Sequence, residues 1–346
     1  MEYRPLGHTD LKVSKICLGT MTFGEQNSEA EAHEQLNYAL EQGINFIDTA
    51  ELYAVPSTKK NNGLTEQYIG TWLKDRSDRD QLIIGTKVTG PNPKFTYIRP
   101  KLDFSPDSIH AAIDGSLKRL QTDYVDLYQL HWPERSTNYF GKLGYEHNEN
   151  DSWQENFGQV LETLNGLVQD GKIRYYGLSN ETPWGTMRMI QLADEMGLPR
   201  PVSIQNPYSL LNRTFEVGLA EVAIREQCGL LAYSPMAFGL LSGKYHKKQD
   251  TERDRINKYD YLSRYNNERA YNATARYLEI AEEHDMSLAQ MSLAFVNDRP
   301  FMTSNIIGAT TMEQLKENIG SADLTLSKNV LKAIEEVHTA NPNPAP

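Results

Sequence analysis

Cysteine is nearly absent from this chain. Cys17 and Cys228 are the only thiols in 346 residues, too few for a disulfide framework, and both lie in apolar, strand-like contexts, so a reducing, cytoplasmic compartment is expected. Excess positive charge is lacking as well. The net charge of -11 argues against a nucleic acid or an anionic membrane as the main partner, because both require a basic face. Nowhere do eighteen apolar residues run together, and the N-terminal MEYRPLGHTD has no apolar signal core, so no membrane span and no secretion are expected. The glycine-rich turns G-x-G-x-x-G and G-x-x-x-x-G-K-[ST] do not occur, which removes the usual mark of a doubly wound nucleotide-binding sheet. Clustered metal ligands are missing too. Of eight histidines, only His131 falls at the end of a predicted strand, which discounts a metal-dependent hydrolase or isomerase.

What is present is ordinary core material, 39% hydrophobic and 23% charged residues, with no signature of disorder. Short apolar runs of strand length recur along the chain: KICLGTM, NFIDTA, LIIGTKV, VDLYQLHW, IRYYGLSN, VSIQN, LLAYSP and SNIIGAT. Helical patterns separate them. Ser28 with Glu31 predicts a capping box, as do Ser287 with Gln290 and Thr311 with Gln314. Ser105-Pro106 predicts a cap and a first-turn proline. Phe157, Val160, Leu161, Leu164, Leu167 and Val168 share one helix face that Gly171 closes. Eight nearly continuous apolar strands alternating with helices predict an α/β fold, a (β/α)8 TIM barrel, as a single domain over 1–346. YRPLGHTDLKVSK reads as a hairpin, turning at Gly7 to Asp10, that could plug the barrel's bottom. The long segments 90–105, 133–156 and 236–267 are expected at the C-terminal face, where barrels build their sites. The last residues, 340–346, are expected to form an extended, mobile tail.

Strand ends then carry the chemistry. FIDTAELY places Asp48 and Tyr53 after the second strand, with Lys87 near the end of the third and His131 at the end of the fourth. A phenol with an ordinary pKa of about 10 is a poor acid near neutrality, and a cation within ~4–6 Å eases release of its proton. Lys87 would supply that charge, Asp48 would hold Lys87, and His131 would orient a substrate oxygen. Each residue has a plainer alternative: Asp48 as a turn cap, Tyr53 as one of 19 tyrosines, Lys87 snorkelling at the rim, and His131 as a buried histidine. Their combination favours a site.

GINFIDTAELY, IIGTKV, DYVDLYQLHWP and GKIRYYGLSN resemble the signature blocks of the aldo-keto reductase superfamily. The likeness runs from LGTMTFG to QLKENI and is greatest to the bacterial Tas branch, related in pattern to voltage-gated potassium channel β subunits. It implies a barrel that binds NADP(H) without a Rossmann fold, and hydride transfer to an aldehyde or ketone with Tyr53 as general acid beside Asp48, Lys87 and His131. By the same resemblance, Ser179, Asn180 and Gln205 hold the nicotinamide carboxamide and Tyr233 stacks on its ring. The stretch SPMAFGLLSGKY (Ser234, Pro235, Met236, Ala237, Phe238, Gly239, Leu240, Leu241, Ser242, Gly243, Lys244, Tyr245) corresponds to the family's pyrophosphate belt. Gly308, Thr310, Gln314, Glu317 and Asn318 match the adenosine positions.

Many members carry Lys and Arg where this chain has Gly308 and Gln314. The channel β-subunit pattern shares Gly and Gln there and takes its cations from the preceding loop, which makes Lys244 and Arg255 the candidates for the 2′-phosphate. The charged run HKKQDTERDR offers several registers for the second. The expected partner is a small carbonyl substrate, with Trp132, Tyr139, Phe140 and Tyr97 near it. A cofactor-loaded redox sensor or docking subunit is the alternative.

Overall fold

The computed structural model of the chain describes residues 1–252, 254–259 and 263–346. It opens with a two-stranded antiparallel hairpin, β1 (Tyr3–Pro5) and β2 (Lys12–Ser14), in register Tyr3 to Ser14. Eight parallel strands follow: β3 (Ile16–Gly19), β4 (Phe46–Asp48), β5 (Ile83–Val88), β6 (Val125–Leu130), β7 (Ile173–Ser179), β8 (Ser203–Pro207), β9 (Gly229–Tyr233) and β10 (Met302–Ile307). They run in sequence order, and β10 pairs with β3 to close the barrel. All eight predicted strands are present, in a (β/α)8 barrel.

Strand alternation divides the core. In β5, every residue is buried, because one face looks into the barrel and the other lies under helices. Ile84 and Val88 join Tyr128, Leu130 and helix residues such as Ile109 and Ile113 in an outer layer. Ile83, Phe46, Leu127 and Leu231 pack inside against Leu6, Leu11 and Val13 of the hairpin. The hairpin therefore plugs the N-terminal end, as expected. Gly7 turns it at φ 59°, and a Cβ there would come within 2.4 Å of the Val202 carbonyl oxygen, so the turn presses directly on the barrel.

The helix signals hold with local differences. Ser28 and Glu31 form a reciprocal capping box before Glu29–Glu41. Ser105 precedes Pro106–Leu120 without a side-chain cap; its hydroxyl donates to Asp103 Oδ1 at 2.6 Å instead. Ser287 and Thr311 do accept from the third helical N–H. Their glutamine partners do not reach back to the cap: Gln290 Nε2 donates to the Glu317 carbonyl, and Gln314 Oε1 accepts from the Thr310 amide. The helix Phe157–Gln169 forms as read, with Gly171 at φ 71° after it.

Of residues 340–346, expected as an extended, mobile tail, Ala340 ends the helix Lys328–Ala340 and 341–346 run on without helix or strand. Ala345 is fully buried and donates its N–H to the Leu211 carbonyl at 3.1 Å, while Asn343 Oδ1 accepts from the Arg213 amide at 2.7 Å. Cys17 and Cys228 are buried and unpaired. Among the described residues, no helix is long and apolar enough to cross a membrane, and no group of three or more potential ligands could hold a metal ion.

Candidate active site

The C-terminal strand ends bring Asp48, Tyr53, Lys87 and His131 together. Lys87 shares the inward parity of β5 with Ile83 and Gly85, so its stem runs up the barrel interior and its ammonium is fully buried. Lys87 Nζ donates to Asp48 Oδ2 at 2.6 Å, to the Thr49 carbonyl at 2.7 Å and to the Tyr53 hydroxyl at 3.3 Å. The Tyr53 and His131 rings meet edge-on with centroids 5.8 Å apart.

The electrostatics refine the expectation for Tyr53. Burial pushes its phenol above the ordinary value, Lys87 pulls it back, and Asp48 opposes Lys87. Burial prevails, so the phenol stays protonated. Lys87 responds in the opposite sense: burial lowers its pKa, but Asp48 and then Tyr53 raise it above the usual lysine range, so it remains an ammonium. Burial, and then Lys87, hold His131 well below its ordinary value, so the ring is a neutral imidazole. Its Nδ1 is buried without a hydrogen-bond partner, and its backbone carbonyl accepts from Asn180 Nδ2 at 2.8 Å.

One participant escaped the sequence reading. Gln129, two residues before His131 and on the same face of β6, donates Nε2 to Asp48 Oδ1 at 3.1 Å. Gln205 Nε2 also donates to Asp48 Oδ1, at 2.8 Å, and to Gln129 Oε1 at 3.0 Å. Gln205, expected only as a carboxamide contact, therefore also braces Asp48. With both protons of its amide directed inward, its carbonyl oxygen is left to accept from a ligand. The signal was present in VDLYQLHW, where a glutamine interrupts an apolar strand in phase with His131.

The cofactor candidates line the adjoining strand ends. Ser179 Oγ donates to the Gln205 carbonyl at 2.9 Å, and the Tyr233 hydroxyl donates to Asn180 Oδ1 at 2.6 Å. Beyond β9, Ser234, Ala237, Phe238 and Gly239 all take positive φ, and the Ala237 and Gly239 amides close local turns onto the Ser234 and Met236 carbonyls at 2.9 and 2.8 Å. Lys244 lies over Gly239, 3.5 Å from where a Cβ would sit. Its ammonium pairs with Asp254, whose carboxyl burial pushes up but Lys244 holds below the usual range. Arg255 stacks on Phe238, its guanidinium carbon 4.1 Å from the ring centroid.

At β10, a Cβ on Gly308 would meet nothing nearer than the Gly19 carbonyl at 3.9 Å, so the rim is open there. Asn318 Nδ2 donates to the Gly308 carbonyl at 3.1 Å. Gln314 is engaged with Thr310, and Glu317 accepts from Ser287, so these candidates also serve the local fold. The Tyr233 ring at the end of β9 and the Lys244 ammonium beyond it suit an anionic dinucleotide.

Two long loops cover the other side. Trp132 is buried, with its centroid 4.9 Å from His131, 6.4 Å from Phe95 and 5.7 Å from Phe140. Tyr139 packs beside them, and the Tyr97 hydroxyl donates to Ser57 Oγ at 2.9 Å. Aromatic rings therefore pack around the phenol on this side.

Comparison with known proteins identifies the family. Residues 15–339 match the model of the aldo/keto reductase family. The chain is 52% identical to Protein tas of Escherichia coli (strain K12), with 100% of each chain covered. It is 33% identical to the uncharacterized oxidoreductase YrpG of Bacillus subtilis (strain 168), over 97% of this chain and 96% of that one. A probable voltage-gated potassium channel subunit beta of Arabidopsis thaliana is 29% identical, over 99% and 98%. The strand-end constellation, the closed barrel and these matches lead to one assignment: the chain belongs to the aldo/keto reductase family and is an oxidoreductase acting on carbonyl groups.

Proposed function

We propose that this protein is an NADP(H)-dependent reductase of aldehydes or ketones, with Tyr53 as the general acid. The observation that carries the reading is the buried chain Asp48–Lys87–Tyr53 opening beside a neutral His131. When bound, the nicotinamide supplies the hydride. His131, uncharged, would donate a hydrogen bond to the carbonyl oxygen and orient it toward the Tyr53 hydroxyl. As negative charge grows on that oxygen, Tyr53 passes it a proton, and Lys87 stabilises the phenolate left behind. Asp48, held by Gln129 and Gln205, keeps Lys87 in place. An alkoxide is a stronger base than a phenolate, so the transfer runs downhill even from a phenol raised by burial.

Ser179, Asn180 and Gln205 would hold the carboxamide, Tyr233 the ring, residues 234–244 the pyrophosphate, and Gly308, Thr310, Gln314, Glu317 and Asn318 the adenosine. Lys244 is taken as the reader of the 2′-phosphate in preference to Arg255, whose guanidinium stacks on Phe238. To reach a phosphate it must share or leave Asp254. Replacing Lys244 with alanine is therefore expected to weaken NADPH binding at least about tenfold while NADH changes much less. Equal weakening, measured by fluorescence titration, would remove Lys244 from that role.

The direct test is oxidation of NADPH by the purified protein with a panel of reactive aromatic aldehydes. Turnover establishes the reductase, whereas tight NADPH binding without turnover on any carbonyl would favour a sensing or docking role.

A further inference from the structure

Glu51 stands between Asp48 and Tyr53 in the chain and touches neither the phenol nor the ammonium. Its side chain is 2% exposed, which for a carboxylate demands specific partners. Oε1 accepts from the Thr89 amide at 2.6 Å, and Oε2 pairs with Arg99. Its backbone N–H donates to the Lys87 carbonyl at 3.3 Å, and its own carbonyl accepts from Asn62 Nδ2 at 2.8 Å. Glu51 is thus fastened to the β5 chain on both sides of Val88, at Lys87 and at Thr89. The short loop that carries Tyr53 is tied at that point to the strand that carries Lys87.

Arg99 brings in a third element. It belongs to the segment 90–105, whose Phe95 and Ile98 pack on the cluster of Tyr53 and Trp132. Its Nε and Nη2 are buried without hydrogen-bond partners, so the pair with Glu51 is what holds this guanidinium. The 90–105 segment is thereby in contact, through Arg99 and Glu51, with the chain on both sides of Val88.

We infer that Glu51 is a positioning residue for the proposed reduction, and that the Glu51–Arg99 pair makes the Lys87–Tyr53 geometry depend on how the 90–105 loop seats over the substrate. The inference rests on the reading of the chain as a carbonyl reductase. A bulky aromatic aldehyde that packs on Phe95 and Ile98 holds the loop and aligns the acid. A small aliphatic aldehyde makes fewer of these contacts and loses kcat as well as affinity.

The test uses Glu51→Gln, Arg99→Met, the double variant and the conservative Arg99→Lys, with kcat, KM, NADPH affinity and melting temperature measured for each. Both single variants are expected to lower kcat about 10- to 100-fold on the aromatic aldehyde, the loss that misplacement of a reacting group brings. NADPH affinity should stay within about twofold, since the lesion lies away from the cofactor candidates. The double variant should be no worse than the poorer single, because the two residues act as one unit. The kcat advantage of the aromatic over the aliphatic aldehyde should shrink in Arg99→Met and recover in Arg99→Lys.

Unchanged kcat with only a lower melting temperature would reduce the pair to a stability element, and additive losses would make the residues independent; either outcome overturns the inference. Amide exchange over residues 49–55 separates this question from the reaction itself. It is expected to rise about tenfold or more in Arg99→Met. No rise sinks the coupling even if the wild-type protein reduces no carbonyl, an outcome that would instead count against the proposed function.

Discussion

Replacing Tyr53 with phenylalanine is expected to cut carbonyl reduction by about 10²–10⁴-fold, the usual worth of a positioned general acid, and to leave NADPH affinity nearly unchanged. The exchange removes one oxygen and little else. Lys87 keeps its 2.6 Å contact with Asp48 and its 2.7 Å contact with the Thr49 carbonyl, losing only the 3.3 Å approach to the phenol. The ring still packs against Trp132 and Ala50, so the fold should survive.

The pH profile supplies a second reading of the same residue. Activity requires the protonated phenol, whose pKa is raised above the ordinary 10, so the alkaline fall should lie above pH 10 and not near neutrality. His131 is held well below 6.5, so it adds no acid limb in the neutral range. Wild-type turnover in Tyr53→Phe, or a wild-type profile that collapses between pH 7 and 8, would remove the phenol from its assigned part.

Asp48→Ala is expected to produce the largest loss of stability, about 3–5 kcal/mol in urea unfolding, because it strands a fully buried ammonium. The same change takes the acceptor from Gln129 and Gln205, whose amides both donate to Asp48 Oδ1. Adding Lys87→Met should recover part of the loss, since a buried pair replaced by apolar groups is far less costly than half a pair. If the single and double variants unfold at the same urea concentration, the stranded charge is not the source of the destabilisation.

Much of this protein was legible in its sequence. Strand number and type followed from the apolar runs, because residues buried on both faces of a parallel strand leave little choice of composition. Asp48, Lys87 and His131 were legible as titratable side chains at strand ends and Tyr53 in the loop after the second, but only their combination singled them out. Gln129 was visible only as an interruption inside a strand, and its meaning depended on Asp48 and Gln205 arriving beside it from β4 and β8.

Tertiary structure alone decided the rest, for reasons that lie in distances between remote segments. Burial set the direction of the Tyr53 shift against the pull of Lys87, a balance that no list of residues contains. The pairing of Lys244 with Asp254, the bond from Ser287 to Glu317 at a neighbouring helix cap and the seating of the C-terminal residues on Leu211 are likewise contacts between surfaces that the fold created. The same holds for Glu51 and Arg99, ordinary charged residues in the sequence that became a largely buried pair where the loop after β5 meets the loop after β4. Periodicity encodes which residues are inside the barrel; only closure of the barrel and its loops determines which polar groups meet there, and pairing decides what a buried polar group can do.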